Sequence, residues 1–337
     1  MPIATQATVG IYFEHPTWFR PLFDAFRRLG VAVEPIHVDE LRDPERADRF
    51  SNRLGVVLNR MSVSAYDRGR PGAVTQARRF LPALESRGVR VINGSRAFTV
   101  ETNKALQLDL IRAAGLNAPE TIEARSPGLA FEAARAFGLD DGRPVIIKPN
   151  LGASGFGVRK LETTRDAVRE LLDEPWDAGP DGVMLVQRYH RPRANQVIRI
   201  EALGGEFHYA VRITNHSDSF NLCPASVSLG ADGQSLRGSS YGVSACRTDL
   251  AAEPFVPPGA IRSRAVALLT DAGIDVGGVE YLIDDETGEP VFYDINAMSN
   301  FVADGQRLLG FDPYLNLANY TLSQRATAAA LVDEEAA

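Results

Sequence analysis

As far as Asn93 the chain alternates short apolar runs with longer stretches whose apolar residues recur at helical spacing. VGIYF, VAVEPIHV, LGVVLN and VRVIN read as strands, and WFRPLFDAFRRLG and AVTQARRFLPALESRG as helices between them. This alternation predicts a small parallel sheet with helices on its faces. Gly30 and Gly88 stand just past the two helices, where a C-cap favours a left-handed residue. Pro82 lies inside the second helix and is expected to kink it. Farther on, VII is a buried-strand pattern, VRKL continues as a second strand, and the next helix starts at a capping-box pattern of Thr163 and Asp166. Towards the end, GVEYLI and PVFYDIN flank the turn residues DDETGE and predict a β-hairpin. The fold class expected is α/β, passing to α+β in the C-terminal part. Its units are 1–95, 96–183 and 184–325, with a tail over 326–337 that is expected to fray.

The hairpin carries the clearest chemistry. Side chains alternate along a strand, so Asp294 and Asn296 share one face. Pairing Ile283 with Val291 would set Glu280 directly opposite Asp294 on that face. Two carboxylates so placed repel each other unless a cation sits between them. Oxygen ligands without Cys or His favour Mg2+ or Mn2+ over zinc or copper. The plainer account is a surface hairpin with scattered acids. A glycine-rich loop, GASGFG, follows the strand that ends at Lys148, and its backbone amides could approach a phosphate closely. It lacks the GK[ST] ending of a P-loop and the GxGxxG spacing of a dinucleotide site. Because a strand rather than a helix follows it, the loop reads as a flap between antiparallel strands. VGIYF is likewise not followed by GxGxxG, which removes a dehydrogenase reading.

These segments together resemble the ATP-grasp superfamily, in its glutathione synthetase and ribosomal-protein glutamate ligase-like branch. The resemblance covers nearly the whole chain and implies the ATP-grasp fold with an N-terminal Rossmann-like sheet. It implies ATP contacts at Lys104, Lys148, Gly152, Ser154, Gly155 and Gly157, and an adenine hinge at Gln187, Arg188 and Tyr189. Arg212, Arg199 and Asn221 take catalytic places, and Glu280, Asp294 and Asn296 hold magnesium, or manganese in its stead. The activity implied is ATP-dependent joining of a carboxylate to an amine through an acyl phosphate, with release of ADP and phosphate. Two alternatives stay open: a small-molecule kinase and a non-catalytic nucleotide-binding module. The chain departs from the pattern in three places. The usual hinge glutamate is replaced by Gln187 or Arg188, the second metal acid is Asp294 rather than Glu, and Val197 stands where many relatives have an acid.

Composition narrows the partners. A net charge of −7 argues against a general nucleic-acid binder. Neither a long apolar run nor an export signal is seen, so no membrane is expected. Cys223 and Cys246 lack CxxC spacing, which fits a reduced, cytoplasmic chain. The five histidines are scattered and are each expected to be structural, and the run RYHRPR reads as a solvated face. The expected partners are a carboxylate and an amine drawn from amino acids or peptides, with a homodimer left open. Arg60, at the end of a predicted strand, could clamp a carboxylate. Tyr66 and Arg68 nearby, Ser299 and Asn300 after the hairpin, and a Gly/Ser-rich stretch over 230–242 are further candidates for substrate contact.

Overall fold

The strand β1 (Thr8–Phe13) is buried from its second residue onward, as a central strand between two helical layers should be. In the computed structural model the described residues are 8–335, without 16, 43–49, 51–52, 67, 153–154, 156, 217–249 and 303–304. β1, β2 (Val33–His37), β3 (Leu54–Arg60) and β4 (Arg90–Ile92) form an all-parallel sheet in the order β2-β1-β3-β4. Val9, Ile11 and Leu58 pack on one face with Phe26 of helix Arg20–Arg28 and Leu317 of helix Pro313–Glu335. Val57 and Val91 pack on the other with Phe80 and Leu84 of helix Gly72–Glu85.

That last helix runs through Pro82 without a break. Burial of Phe80, Leu81 and Leu84 against the sheet, each worth about 1.5–3 kcal/mol, outweighs the single hydrogen bond that a proline removes. The helix Pro313–Glu335 runs into the stretch 326–337 that is expected to fray.

The second sheet is antiparallel, in the order β5-β8-β6-β7, with β5 at Thr121–Ala124, β6 at Val145–Pro149, β7 at Arg159–Leu161 and β8 at Met184–Arg188. Thr163 and Asp166 form the capping box that their spacing predicts. The third sheet, also antiparallel, has five strands in the order β11-β10-β9-β12-β13. These are β9 (Pro192–Leu203), β10 (Glu206–Asn215), β11 (Leu250–Pro254), β12 (Val276–Asp284) and β13 (Pro290–Asn296). Ile198, Ile200, Val279 and Tyr281 on its rear face join one core with Leu268 and Leu269 of helix Gly259–Asp271. Its front face looks toward the second sheet.

Candidate active site

Glu280 and Asp294 do stand opposite each other on β12 and β13, but by another route than the sequence suggested. Ile283 pairs with Pro290 and Leu282 with Val291, one residue away from the expected register. Tyr293 is then left without a partner, and this β-bulge restores the Glu280–Asp294 pair. The bulged Tyr293 donates its hydroxyl to Glu280 Oε2 at 2.9 Å, and its carbonyl accepts from Lys148 Nζ at 3.3 Å. The Asn296 amide donates to Glu280 Oε1 at 3.2 Å and to Asp294 Oδ2 at 3.3 Å.

Two lysines meet these acids. Asn103 caps the helix Lys104–Ala113, and Asn150 takes the Lys104 and Ala105 backbone N–H groups at 3.1 and 2.8 Å. The start of that helix is thereby tied to the end of β6, next to Lys148, and the Lys104 ammonium pairs with Asp294. Burial works against the Lys104 charge, but Asp294, Glu101 and Glu280 overcome it and raise its pKa. Lys148 is held down to about 8, by burial first and then by Lys104. Burial also raises Glu280, with Arg199 opposing and Asp294 reinforcing that shift. Among the described residues no group of three or more His, Cys, Asp or Glu could hold a metal ion. A cation here would therefore take two carboxylates and the Asn296 amide oxygen, an all-oxygen set that suits Mg2+. The lysine on Asp294 shows that the acid pair already draws a positive charge.

Arg199 on β9 faces the same front. Its guanidinium binds Glu201 Oε1 at 2.7 Å and Glu280 Oε1 at 3.1 Å, and it donates to the Ser299 hydroxyl. Ser299 in turn donates to Glu201 Oε1 at 2.6 Å. Gly278 makes room for this fork: a Cβ there would lie 2.9 Å from Glu201 Oε1 and 3.1 Å from Arg199 Nε. A single cavity takes in Lys104, Lys148, Arg199, the acid hairpin and the hinge residues, and Gly152 and Gly155 also line it.

No protein-family model matches the chain. It is 25% identical over 281 residues to a probable alpha-L-glutamate ligase of Parasynechococcus marenigrum strain WH8102, covering 82% of this chain and 53% of that protein. The chain thus spans about half the length of this curated relative. The ATP-grasp ligase PsnB with a minimal precursor superposes with a TM-score of 0.64 at 18% identity, over 94% of this chain and 99% of PsnB. D-alanine–D-alanine ligase from Bacillus anthracis, complexed with ATP, does so at 0.61 and 13% identity, over 98% and 99%. The chain has the ATP-grasp fold. The D-cycloserine synthetase DcsG shares that fold at 0.64 and 16% identity, over 94% of this chain and 99% of its own.

Within the ATP-grasp fold, two expected site residues lie elsewhere. Arg212 pairs across the sheet with Ile198 rather than with a front-face residue, because His208 is bulged out of β10 and shifts the register by one. Its guanidinium therefore points rearward, to Glu253 at 2.9 Å and over the Phe255 ring at 4.3 Å. Arg60 does not reach the cavity either. It is fully buried beneath Phe19, 5.5 Å from the ring centroid, and donates to the Ser299 carbonyl, so it ties β3 to the loop after the hairpin. Arg68 is engaged by Glu14, Ser64 and the Trp18 ring.

The hinge side chains line the cavity but have partners of their own: Gln187 donates to Thr121 Oγ1 at 2.8 Å, Arg188 pairs with Glu120 at 2.7 Å, and Lys160 lies over Tyr189. Ser299 and Asn300 line it too. Ser154, Asn221, both cysteines and the stretch 230–242 fall outside the described residues. Glu101, Tyr293, Glu201 and His190 escaped the sequence reading. Only Glu201 carried a usable signal, as an acid two residues from Arg199 on one strand face.

Proposed function

We propose that this chain is a magnesium-dependent, ADP-forming carboxylate–amine ligase, with Mn2+ able to serve for Mg2+. What carries the proposal is the convergence of Lys104, Lys148, Arg199 and the Glu280–Asp294–Asn296 set on one cavity. Units over 1–95, 96–183 and 184–325 would enclose it. Bound there, Mg2+–ATP would supply a γ-phosphoryl that a substrate carboxylate takes up as an acyl phosphate, and an amine would then displace phosphate to leave an amide and ADP. Lys104 and Lys148 would hold phosphate oxygens as point charges, with Gly152, Gly155 and Gly157 letting the loop backbone approach them. Gly155 and Gly157 adopt φ of 71° and 70°, a region that favours glycine. Glu280, Asp294 and Asn296 would ligate the cation, and the hinge backbone would take the base. Arg199, already oriented by Glu201 and Ser299, would stabilise the charge that develops during transfer, since preorganised positive groups are what phosphoryl transfer chiefly needs.

The curated relative is a probable glutamate ligase, and PsnB is a ligase solved with a precursor peptide. These favour an amino acid or a peptide as substrate. The experiment is a coupled assay of ADP and phosphate across amino acids and short peptides, with product masses recorded. ADP, phosphate and a condensed product are expected. AMP with pyrophosphate, or ADP with a stable phosphorylated substrate, would overturn the reading.

A further inference from the structure

The hinge end of the cavity contains a pair of side chains that the ligase reading does not use. His190 lines the cavity directly after Gln187, Arg188 and Tyr189. Its Nδ1 is bonded to Asp284, a buried carboxylate at the end of β12. Asp284 is itself fixed, because Oδ1 accepts the Glu286 and Thr287 backbone N–H groups at 2.8 and 3.3 Å. Burial alone would raise the Asp284 pKa, but the His190 bond and those two amides outweigh it and keep the carboxyl ionised. An ionised acceptor at Nδ1 requires that nitrogen to carry the proton. In the neutral ring Nε2 is then left with a free lone pair, in an imidazole whose orientation is set.

The surroundings make this acceptor matter. Among the described lining residues the carboxylates are Glu101, Glu280 and Asp294, and all three are grouped around Lys104 at the opposite end. At the hinge end Arg188 is paired with Glu120, and one of the two Gln187 amide N–H groups goes to Thr121. The walls there include Ile146, Leu282 and Val291, which suit the flat face of a base and leave its polar edges and the ribose to the hinge backbone and to His190.

Resting on the ATP reading of the cavity, we propose that His190, oriented by Asp284, recognises the nucleoside part of the nucleotide. It does so by accepting a hydrogen bond at Nε2 from a ribose hydroxyl or from the exocyclic amine of adenine. The two sources share one chemistry and can be separated by omission.

The test is calorimetric titration of wild-type protein, His190→Ala and His190→Gln with ATP, 2′-deoxyATP, 3′-deoxyATP and purine riboside triphosphate, each with Mg2+. Wild type is expected to bind ATP about 3- to 10-fold more tightly than the analogue that lacks the donor, the range for one hydrogen bond. His190→Ala should bind ATP no better than wild type binds that analogue and should lose the discrimination. His190→Gln, which keeps an acceptor, should regain part of it. Unchanged discrimination in His190→Ala would overturn the proposal, and so would an equal loss for ATP and all three analogues, the mark of a merely structural histidine. Wild-type protein that binds no nucleotide would instead overturn the ATP reading and this proposal with it. Melting curves of both variants without nucleotide separate a binding defect from a folding one.

Discussion

The hairpins β12–β13 and β9–β10 lie in one sheet, and each carries one extra residue, yet the two bulges have opposite consequences. At Tyr293 the extra residue brings Asp294 round to face Glu280 and adds a hydroxyl and a carbonyl to the site. At His208 it turns Arg212 away from Arg199 and onto the rear face. The bulged His208 sits instead among Tyr209, Phe301 and Phe311, where burial lowers its pKa to about 4. One inserted residue therefore completes a site in the first hairpin and empties a place in the second. In a sheet whose side chains alternate, the residues in a site follow from counting bulges as much as from counting residues.

The sharpest break would come at the hairpin that gained. Asp294→Asn removes a charge and almost no volume, so turnover should fall by on the order of 10²- to 10³-fold while the fold persists. Without Mg2+ its melting temperature should fall below wild type, because the buried Lys104 ammonium loses the carboxylate it pairs with, a larger effect than the relief of repulsion at Glu280. Wild-type turnover, or unfolding that takes no account of the metal, would show the acids to be structural.

The two arginines test the other hairpin. Arg199→Lys keeps the charge but loses the fork between Glu201, Glu280 and Ser299, and should lower the rate by roughly 100-fold. Arg212→Met, on the rear face, should change it by less than about 3-fold, the range of an ordinary surface substitution of ±0.5 kcal/mol. Equal losses in the two would mean that β10 adopts another register when substrate is bound.

Lys148→Met should weaken ATP binding by roughly 10-fold, the loss of one charge-assisted contact of about 1.5 kcal/mol. Its second effect has a sign. The folded pKa of about 8 lies below the ordinary 10.5, so the protonated lysine destabilises the nucleotide-free fold fully below about pH 8. That penalty fades as pH rises from 8 to 10.5. The variant should therefore melt higher than wild type at pH 7, with the gap closing above pH 10. The smallest effect belongs to the loop: Gly157→Ala places a Cβ 2.9 Å from the Pro149 ring at φ 70°. It should lower stability by about 1–2 kcal/mol, readable as a shifted denaturant midpoint.

Much of this architecture was legible in the chain. The strands and helices around Val9–Ile92, the Thr163–Asp166 cap and the acid hairpin all follow from periodicity and turn chemistry. Lys104 and Lys148 come together because Asn150 joins a helix start to a strand end, a contact no local pattern announces. Bulges are where legibility ended. Ile283 pairs one residue away from the expected register, and Arg212, given a catalytic place by resemblance, lies on the rear face, since nothing in a strand's composition says which residue drops out of the ladder. Arg60 departs from expectation for another reason: the open end of a parallel sheet attracts ligands in general, but here Phe19 and the Ser299 carbonyl close over it. His190 shows no signal among the scattered histidines because its partner, Asp284, is distant in sequence.

Gly278 links the history of three positions. Its missing side chain is the space in which the Arg199 guanidinium and the Glu201 carboxylate meet. Any drift at 278, even to alanine, would arrive as a collision with the charged fork, and any lineage that gave up the arginine would release 278 to accept a side chain. Residues 199, 201 and 278 are thus coupled by packing, the glycine being the room that the charged pair occupies. A side chain at 278 would therefore be tolerated only where the residue at 199 or 201 is smaller.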